Sequence, residues 1–234
     1  ARASFSRGAV QLLTNAGPRA GHVKVEECEP TASNPWLVQE YVEGTDLCSY
    51  SIVRDGRVAA HLTYEIPIQI DHAAGVQFET IEEPATLEAA ATIARETGYH
   101  GNLSLDWKRD DEGLCAIECN PRVTNGANTM HPEVMAAALT GELTGVEPVV
   151  TEPGRMAQDD LGVVAEMLTR QMPVVKGVKE LLRVRDMYAQ HGDLLPELYQ
   201  YFQFVHDVRT AHEHRVGFMD AMQYDTCWDG DPIP

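Results

Sequence analysis

Positive charge is scarce in this sequence of 234 residues: 18 Lys and Arg stand against 36 Asp and Glu, a formal net charge of −18. Proteins that grip a phosphate backbone concentrate Lys and Arg on one face, so a nucleic-acid partner is not expected. The same balance does not exclude a nucleotide, provided local cations, backbone amides and a metal offset the triphosphate. Otherwise the charge serves solubility. Cysteine is sparse too. Cys28, Cys48, Cys115, Cys119 and Cys227 are odd in number and contain no C-x-x-C pair, which argues against a disulfide framework or a zinc ribbon. Most of them read as reduced, buried apolar fillers. No run approaches the roughly 18 to 20 apolar residues of a membrane span, and the opening ARASFSRGAV has no apolar stretch of a secretory signal. The expectation is a cytoplasmic protein with no membrane partner.

The length allows one large domain or a domain with an appendage, and 44% apolar residues suffice for a core. The chain starts without Met, in a segment that reads as a strand running into a Ser/Gly turn followed by AVQLLTNAG, as expected for a fragment or trimmed chain. From Trp36, the runs WLVQEYV and DLCSYSIV are followed after RDG by RVAAHLTYEI, and Asp55-Gly56 is a strong hairpin signal between β-rich segments. Pro84 to Gly98 has Pro near its start, helix formers within and Gly at its end, which predicts a helix. A second hairpin follows in GNLSLDWKRDDEGLCAIECN, with its turn at Asp110-Asp111-Glu112-Gly113.

Helical patterns then run through PEVMAAALTG and, after the break VEPVVTEPG, through residues 157 to 209. Leu161, Val164, Met167 and Leu168 fall on one face, then Leu181 and Leu182, and later Leu195, Leu198, Tyr201 and Phe202. These faces are expected to pack on the sheet or on another subunit. A domain boundary is placed near residue 150, dividing 1–150 from a helical extension, 151–234. His206, His212 and His214 with Glu213 invite a metal reading, but His at i and i+2 do not share a helix face, so a solvated polar helix is favoured. The tail from Asp225 reads as irregular.

Folding the second hairpin about Asp111-Glu112 sets Asp106 close to opposite Glu118, and strand alternation puts Asn120 on the face of Glu118. Like charges facing each other across strands are destabilising, so this trio suggests a cation between them. Oxygen-only ligands suit a hard ion such as Mg²⁺, with Mn²⁺ as a substitute, whose shell phosphate oxygens can complete. The spacing alone also fits an exposed hairpin whose acids face water.

The continuation Glu118-Cys119-Asn120-Pro121-Arg122-Val123-Thr124-Asn125-Gly126 resembles the ATP-grasp superfamily, most closely its carbamoyl-phosphate-synthase-like branch. In that family a strand ends in E-x-N-P-R, where Glu and Asn bind Mg²⁺ and Arg faces the phosphates. A further ligand stands on the preceding strand. The resemblance implies Asp106, Glu118 and Asn120 as metal ligands and Arg122 as the catalytic cation. It also implies an α+β fold: an ATP-grasp-like antiparallel sheet with flanking helices, here with a mainly helical C-terminal segment.

Further positions follow from the same resemblance. Gln39-Glu40-Tyr41-Val42-Glu43-Gly44-Thr45-Asp46 looks like the adenine hinge, implying backbone contacts from Gln39 and Val42, packing or side-chain contacts from Glu40, and ribose hydroxyls accepted by Asp46. Arg2-Ala3-Ser4-Phe5-Ser6-Arg7-Gly8-Ala9 looks like the phosphate strand and its small-residue flap. Arg2 takes the cation position there, and Ser4 and Ser6 lie where amides can approach anionic oxygens. His72 sits where some members place a His near the nucleotide.

The resemblance covers residues 1 to 146. It departs from the family in lacking the N-terminal subdomain with another ATP-contacting basic residue. The expected function is an ATP- and Mg²⁺-dependent carboxylate–amine ligase working through an acyl phosphate, present here as a fragment of a longer enzyme. Its partners would be ATP, a small carboxylate-bearing substrate and an amine or similar nucleophile, with a homo-oligomer or a complementing N-terminal segment as further fits. A nucleotide-binding or assembly module without turnover also fits. A metal enzyme acting without ATP would need the carboxylate hairpin but not the hinge.

Overall fold

The structure, a computed structural model, describes residues 2–6, 9–13, 22–23, 31–32, 42–70, 74–168, 170–189, 193, 195–217, 221–222 and 224, with only the backbone path for 2–23, 70 and 74. The chain divides into two compact units. One is Glu43–Glu197; the other joins Ala1–Val42 to Leu198–Pro234.

In Glu43–Glu197, β4 (Thr45–Arg54) and β5 (Arg57–Ile70) form an antiparallel hairpin around Asp55-Gly56. Both turn residues have positive φ, 48° and 79°, the backbone of a two-residue turn whose twist matches its strands. Strand β6 (Ala74–Ile81) pairs with β5, and α1 (Pro84–Thr97) follows with Pro in its first turn, where a missing N–H costs nothing. Strand β7 (Gly101–Arg109) then returns beside β4, and β8 (Leu114–Asn120) closes the second hairpin. Both hairpins and α1 fall where the sequence predicts them.

The 3₁₀ turn Asn125–Thr129 and α2 (Pro132–Thr140) come next, then the short strands β9 (Val149–Val150) and β10 (Met156–Gln158). The seven-stranded sheet runs β10–β6–β5–β4–β7–β8, with β9 parallel to β5. The fold is α+β, an antiparallel sheet with flanking helices. The stretch around residue 150 supplies two short strands to that sheet.

Each sheet face has its own core. Leu47, Val53, Leu103, Leu105 and Trp107 bury against Ala90 and Ala94 of α1. On the opposite face Cys48, Tyr50, Ile52, Leu62, Tyr64 and Phe78 pack with Ala127, Met130 and Ala138. After β10, α3 (Asp160–Leu168) and α4 (Val174–Arg183) continue the chain, and Val163 joins Ile68, Val76 and Met172 in a third cluster. The expected apolar face of α3 is not the buried one: Gly162, Val163 and Glu166 are buried, while Leu168 is exposed. Leu182 of α4 is exposed as well.

The other unit contains an antiparallel sheet of β1 (Arg2–Ser6), β2 (Ala9–Leu13) and β3 (His22–Val23). Helix α5 (Leu195–His214) enters this unit at Leu198. It buries Asp207 and Thr210, whereas Leu198, Tyr201 and Phe202, expected to pack, are exposed. Among the described residues no helix is long and apolar enough to cross a membrane.

Candidate metal and nucleotide site

A bulge decides which side chains meet on the second hairpin. From the turn, pairs run Arg109–Leu114, Lys108–Cys115 and Trp107–Ala116. Continued without interruption, that register would oppose Asp106 to Ile117 and turn Glu118 to the other face, because a one-residue slip inverts a strand's side chains. The register instead shifts between Asp106 and Trp107, so Asp106 pairs with Glu118 and Ser104 with Asn120. An extra residue in one strand re-aims its neighbours in this way. Asp106, Glu118 and Asn120 therefore share one face at the sheet edge, as the sequence reading requires.

The face is organised in rows. Tyr64, Cys48, Asp106 and Glu118 lie in register across β5, β4, β7 and β8. Leu62, Tyr50, Ser104 and Asn120 form the next row. Asp106 is half-buried and both its carboxylate oxygens are held: Cys48 Sγ donates to Oδ1 (3.1 Å) and Asn120 Nδ2 to Oδ2 (3.1 Å). Burial, reinforced by the Asp106 charge, pushes the Cys48 thiol well above its usual range, so it is a proton donor at neutral pH. Tyr64 is likewise raised by burial, and burial pushes Tyr50 up to about 12. Glu118 is exposed.

Strand β8 stops at Asn120 because Pro121 has no N–H to continue the ladder. Arg122 N–H donates back to Asn120 O (2.8 Å), closing a tight turn about Pro121. Ser104 Oγ donates to Arg122 O (2.8 Å), and Tyr64 OH hydrogen-bonds Thr124 Oγ1 (3.0 Å), which clamps the segment over the sheet. Gly126 permits this approach, since a Cβ there would lie 2.1 Å from Tyr64 Cζ. The Arg122 side chain is exposed and donates to Val123 O (3.2 Å); among the described residues it forms no ion pair.

Asp46 stands on this same face of β4, two residues before Cys48. Lys108 Nζ holds its Oδ1 at 2.7 Å, and Lys108, opposite Asp46 in register, is a cation on the Asp106 strand and on the same face as Asp106. The sequence reading missed Lys108, Cys48, Tyr64, Ser104 and Thr124. The period-two spacing of Ser104, Asp106 and Lys108 is the signal that places them together.

The remaining candidates belong to the other unit or lie outside the described residues. Val42 belongs to the other unit. Arg2, Ser4 and Ser6 lie in β1 of that unit, and their side chains are not among the described positions. Gln39, Glu40 and His72 lie outside the described residues.

Two carboxylates and one amide form a set of hard oxygen donors. Among the described residues no three His, Cys, Asp or Glu gather into a metal cage. A site with one or two carboxylates, completed by phosphate oxygens and water, is the arrangement Mg²⁺ favours over an all-protein cage. The residues present fit that ion.

No protein-family model matches the sequence, and no curated protein does. Solved structures match parts of it. The biotin carboxylase domain of 2-oxoglutarate carboxylase from Hydrogenobacter thermophilus, in complex with MgADP, ADP and bicarbonate, shares 18% identity over 38% of this chain and 22% of that one, with a TM-score of 0.32. Biotin carboxylase from Campylobacter jejuni, in a β,γ-ATP complex, shares 17% over 47% and 28%, TM-score 0.37. Phosphoribosylglycinamide synthetase from Anaerococcus prevotii shares 17% over 36% and 23%, TM-score 0.30. The chain spans 22% to 28% of the lengths of these three structures. The reading of the site rests on its own residues.

Proposed function

We propose that this chain binds Mg²⁺-ATP on the β7–β8 hairpin, as part of a ligase that activates a carboxylate and joins it to an amine. The observation that carries the reading is the bulge beside Asp106, which puts Asp106, Glu118 and Asn120 on one face just before an Arg122 without an acidic partner among the described residues.

Asp106, Glu118 and Asn120 would hold the ion. When bound, Mg²⁺ neutralises and aligns the phosphate oxygens. The chain's task is then positioning and charge compensation, which dominate phosphoryl transfer. Arg122, on the turn clamped by Ser104 and Tyr64, faces negative charge as it develops. A substrate carboxylate oxygen attacks the γ-phosphorus, the bond to the β-phosphate oxygen breaks and ADP leaves. The amine nitrogen then attacks the acyl carbon, the carbon–oxygen bond to phosphate breaks and the amine loses a proton.

The hinge and flap assignments (Gln39, Glu40, Val42, His72, and Arg2, Ser4 and Ser6) belong to this proposal too, as does a division of labour between residues 1–150 and 151–234. Lys108 joins the proposal from the structure. On nucleotide binding, Asp46 would turn from Lys108 to the ribose hydroxyls, leaving the ammonium for a phosphate. Calorimetry with Mg²⁺-ATP tests the reading. Binding by the wild type that is lost in Glu118→Ala is expected, and equal binding by both proteins would overturn it. Binding without ADP release in the presence of carboxylates and amines would favour a nucleotide-binding module over a ligase.

A further inference from the structure

We infer that Cys48 is a positioning residue for the metal site: its buried thiol donates to Asp106 Oδ1 and fixes that carboxylate for cation binding. The inference rests on the metal reading above and adds to it a residue from a strand that contributes no ligand.

The thiol could be read as an apolar filler, since it is 9% exposed and packs with Tyr50, Leu62 and Tyr64. Its position shows more. Cys48 lies directly across the β4–β7 ladder from Asp106, and Sγ is 3.1 Å from Oδ1. On the opposite side, Asn120 Nδ2 is 3.1 Å from Oδ2. The carboxylate is thus held from both flanking strands, one donor to each oxygen. Each oxygen has a second lone pair, so both bonds can persist while a cation is held.

A carboxylate across a strand pair from Glu118 would otherwise rotate away from the like charge to reach water. Two fixed donors oppose that rotation and disperse part of its charge. A methyl or isopropyl group at position 48 would leave Oδ1 without a donor on the buried side, which is costlier than never having placed the pair. Partners of ligating carboxylates commonly change metal affinity by roughly 10- to 100-fold when removed. A thiol is a weak donor, so the low end of that range applies here.

The row also ties the ligand to the catalytic turn. Tyr64, opposite Cys48 in register, hydrogen-bonds Thr124, and Ser104, two residues from Asp106, holds both Arg122 O and Thr124 Oγ1. Cys48 is the member of this network whose hydrogen reaches the Asp106 carboxylate.

The test uses the full chain with Mn²⁺ alone as probe, its binding followed by electron paramagnetic resonance. Cys48→Ala is expected to weaken Mn²⁺ binding about tenfold, whereas Cys48→Ser, which restores a donor, binds close to wild type. Equal affinities of wild type and Cys48→Ala would overturn the inference, and so would equal losses in the Ala and Ser variants. Asp106→Ala separates the two levels: Mn²⁺ binding unchanged in that variant sinks the metal reading itself. A second measurement needs neither metal nor the Ala variant at 48. The S–H stretching band of Cys48, isolated as wild type minus Cys48→Ser, should lie below that of a free thiol and rise in Asp106→Ala. A band unmoved by Asp106→Ala would remove the hydrogen bond on which the inference stands.

Discussion

The two faces of the sheet use polar side chains in opposite ways. Under α1, Ser51 Oγ meets His61 Nδ1 at 2.8 Å, and His61 Nε2 meets Thr86 Oγ1 at 3.1 Å, with Thr63 bonded to Thr86. All four residues are at most 3% exposed; their side chains bond one another, and Thr86 Oγ1 also donates to Glu83 O (2.7 Å). Across the strands, Asp106, Glu118 and Asn120 gather at an edge where Glu118 and Arg122 face water. A polar network closed on itself pins a helix to a sheet, whereas one left open at a rim can be completed by a ligand. The first holds α1 on the sheet; the second sets like charges across a strand pair, which is destabilising without a counter-charge.

The comparison is broken most severely at the open rim. Glu118→Ala removes the carboxylate that the bulge sets opposite Asp106, so Mg²⁺-dependent ATP binding should fall at least 100-fold. Loss of that order corresponds to about 3 kcal/mol. Calorimetry on the variant checks it, with a thermal melt to show that the sheet persists. Retained binding in Glu118→Ala would mean that the shared face of Asp106 and Glu118 is irrelevant.

The closed network responds to pH instead. Burial lowers His61 to about 4 from 6.5. As pH falls through 6.5, the unfolded chain takes up a proton that folded His61 refuses. Stability is therefore full above about 6.5, declines down to about 4 and levels below that. A displacement from 6.5 to about 4 corresponds to about 3 kcal/mol. Urea titrations at pH 7 and 4.5 measure it. His61→Asn should remove this part of the difference, and an unchanged difference would place the acid sensitivity elsewhere. No such dependence is expected of ligand binding from this residue, which lies on the other face.

What could be read from the sequence divides along the same physical lines. Turns and caps are local, so Asp55-Gly56, the Asp110–Gly113 loop and Pro84 mark their elements. The carboxylate pair was readable because two acids and an amide on a hairpin demand compensation. The bulge was not, since the Ile117 that produces it looks like any strand residue. Strand β9 hid in a Pro/Gly-rich stretch and β10 ran into the start of an expected helical run, because β5 and β6 define them: Thr151 N donates to His61 O and Thr80 N to Arg155 O. The face of α3 was misjudged by counting apolar side chains. Gly162 sets it, because only a residue without Cβ lets the helix approach Val76, whose Cγ atoms would lie 2.9 Å from an added Cβ.

Gly126 provides a smaller perturbation of the open rim. An Ala there would meet the Tyr64 ring, so Gly126→Ala must displace either Tyr64 or the turn that carries Arg122. Overpacking of this kind costs about 1 to 3 kcal/mol. Denaturant midpoints should show that loss, and nucleotide affinity should fall with it because Thr124 and Tyr64 clamp the turn. Full stability in the variant would mean that Tyr64 has room to rotate.

The mildest test concerns Lys108. Its pair with Asp46 leaves Asp46 about half exposed, and pairs of that kind contribute at most about 1 kcal/mol to folding. Lys108→Met should therefore change the thermal melt little. Its effect on ligands differs, because removing the ammonium leaves Asp46 and Asp106 unopposed on one face. ATP should weaken by up to about fivefold, adenosine should change less, and the difference should shrink as salt screens the exposed charges. An equal change for ATP and adenosine would place Lys108 against the ribose or base, and an unchanged ATP affinity would leave it as the partner of Asp46 alone.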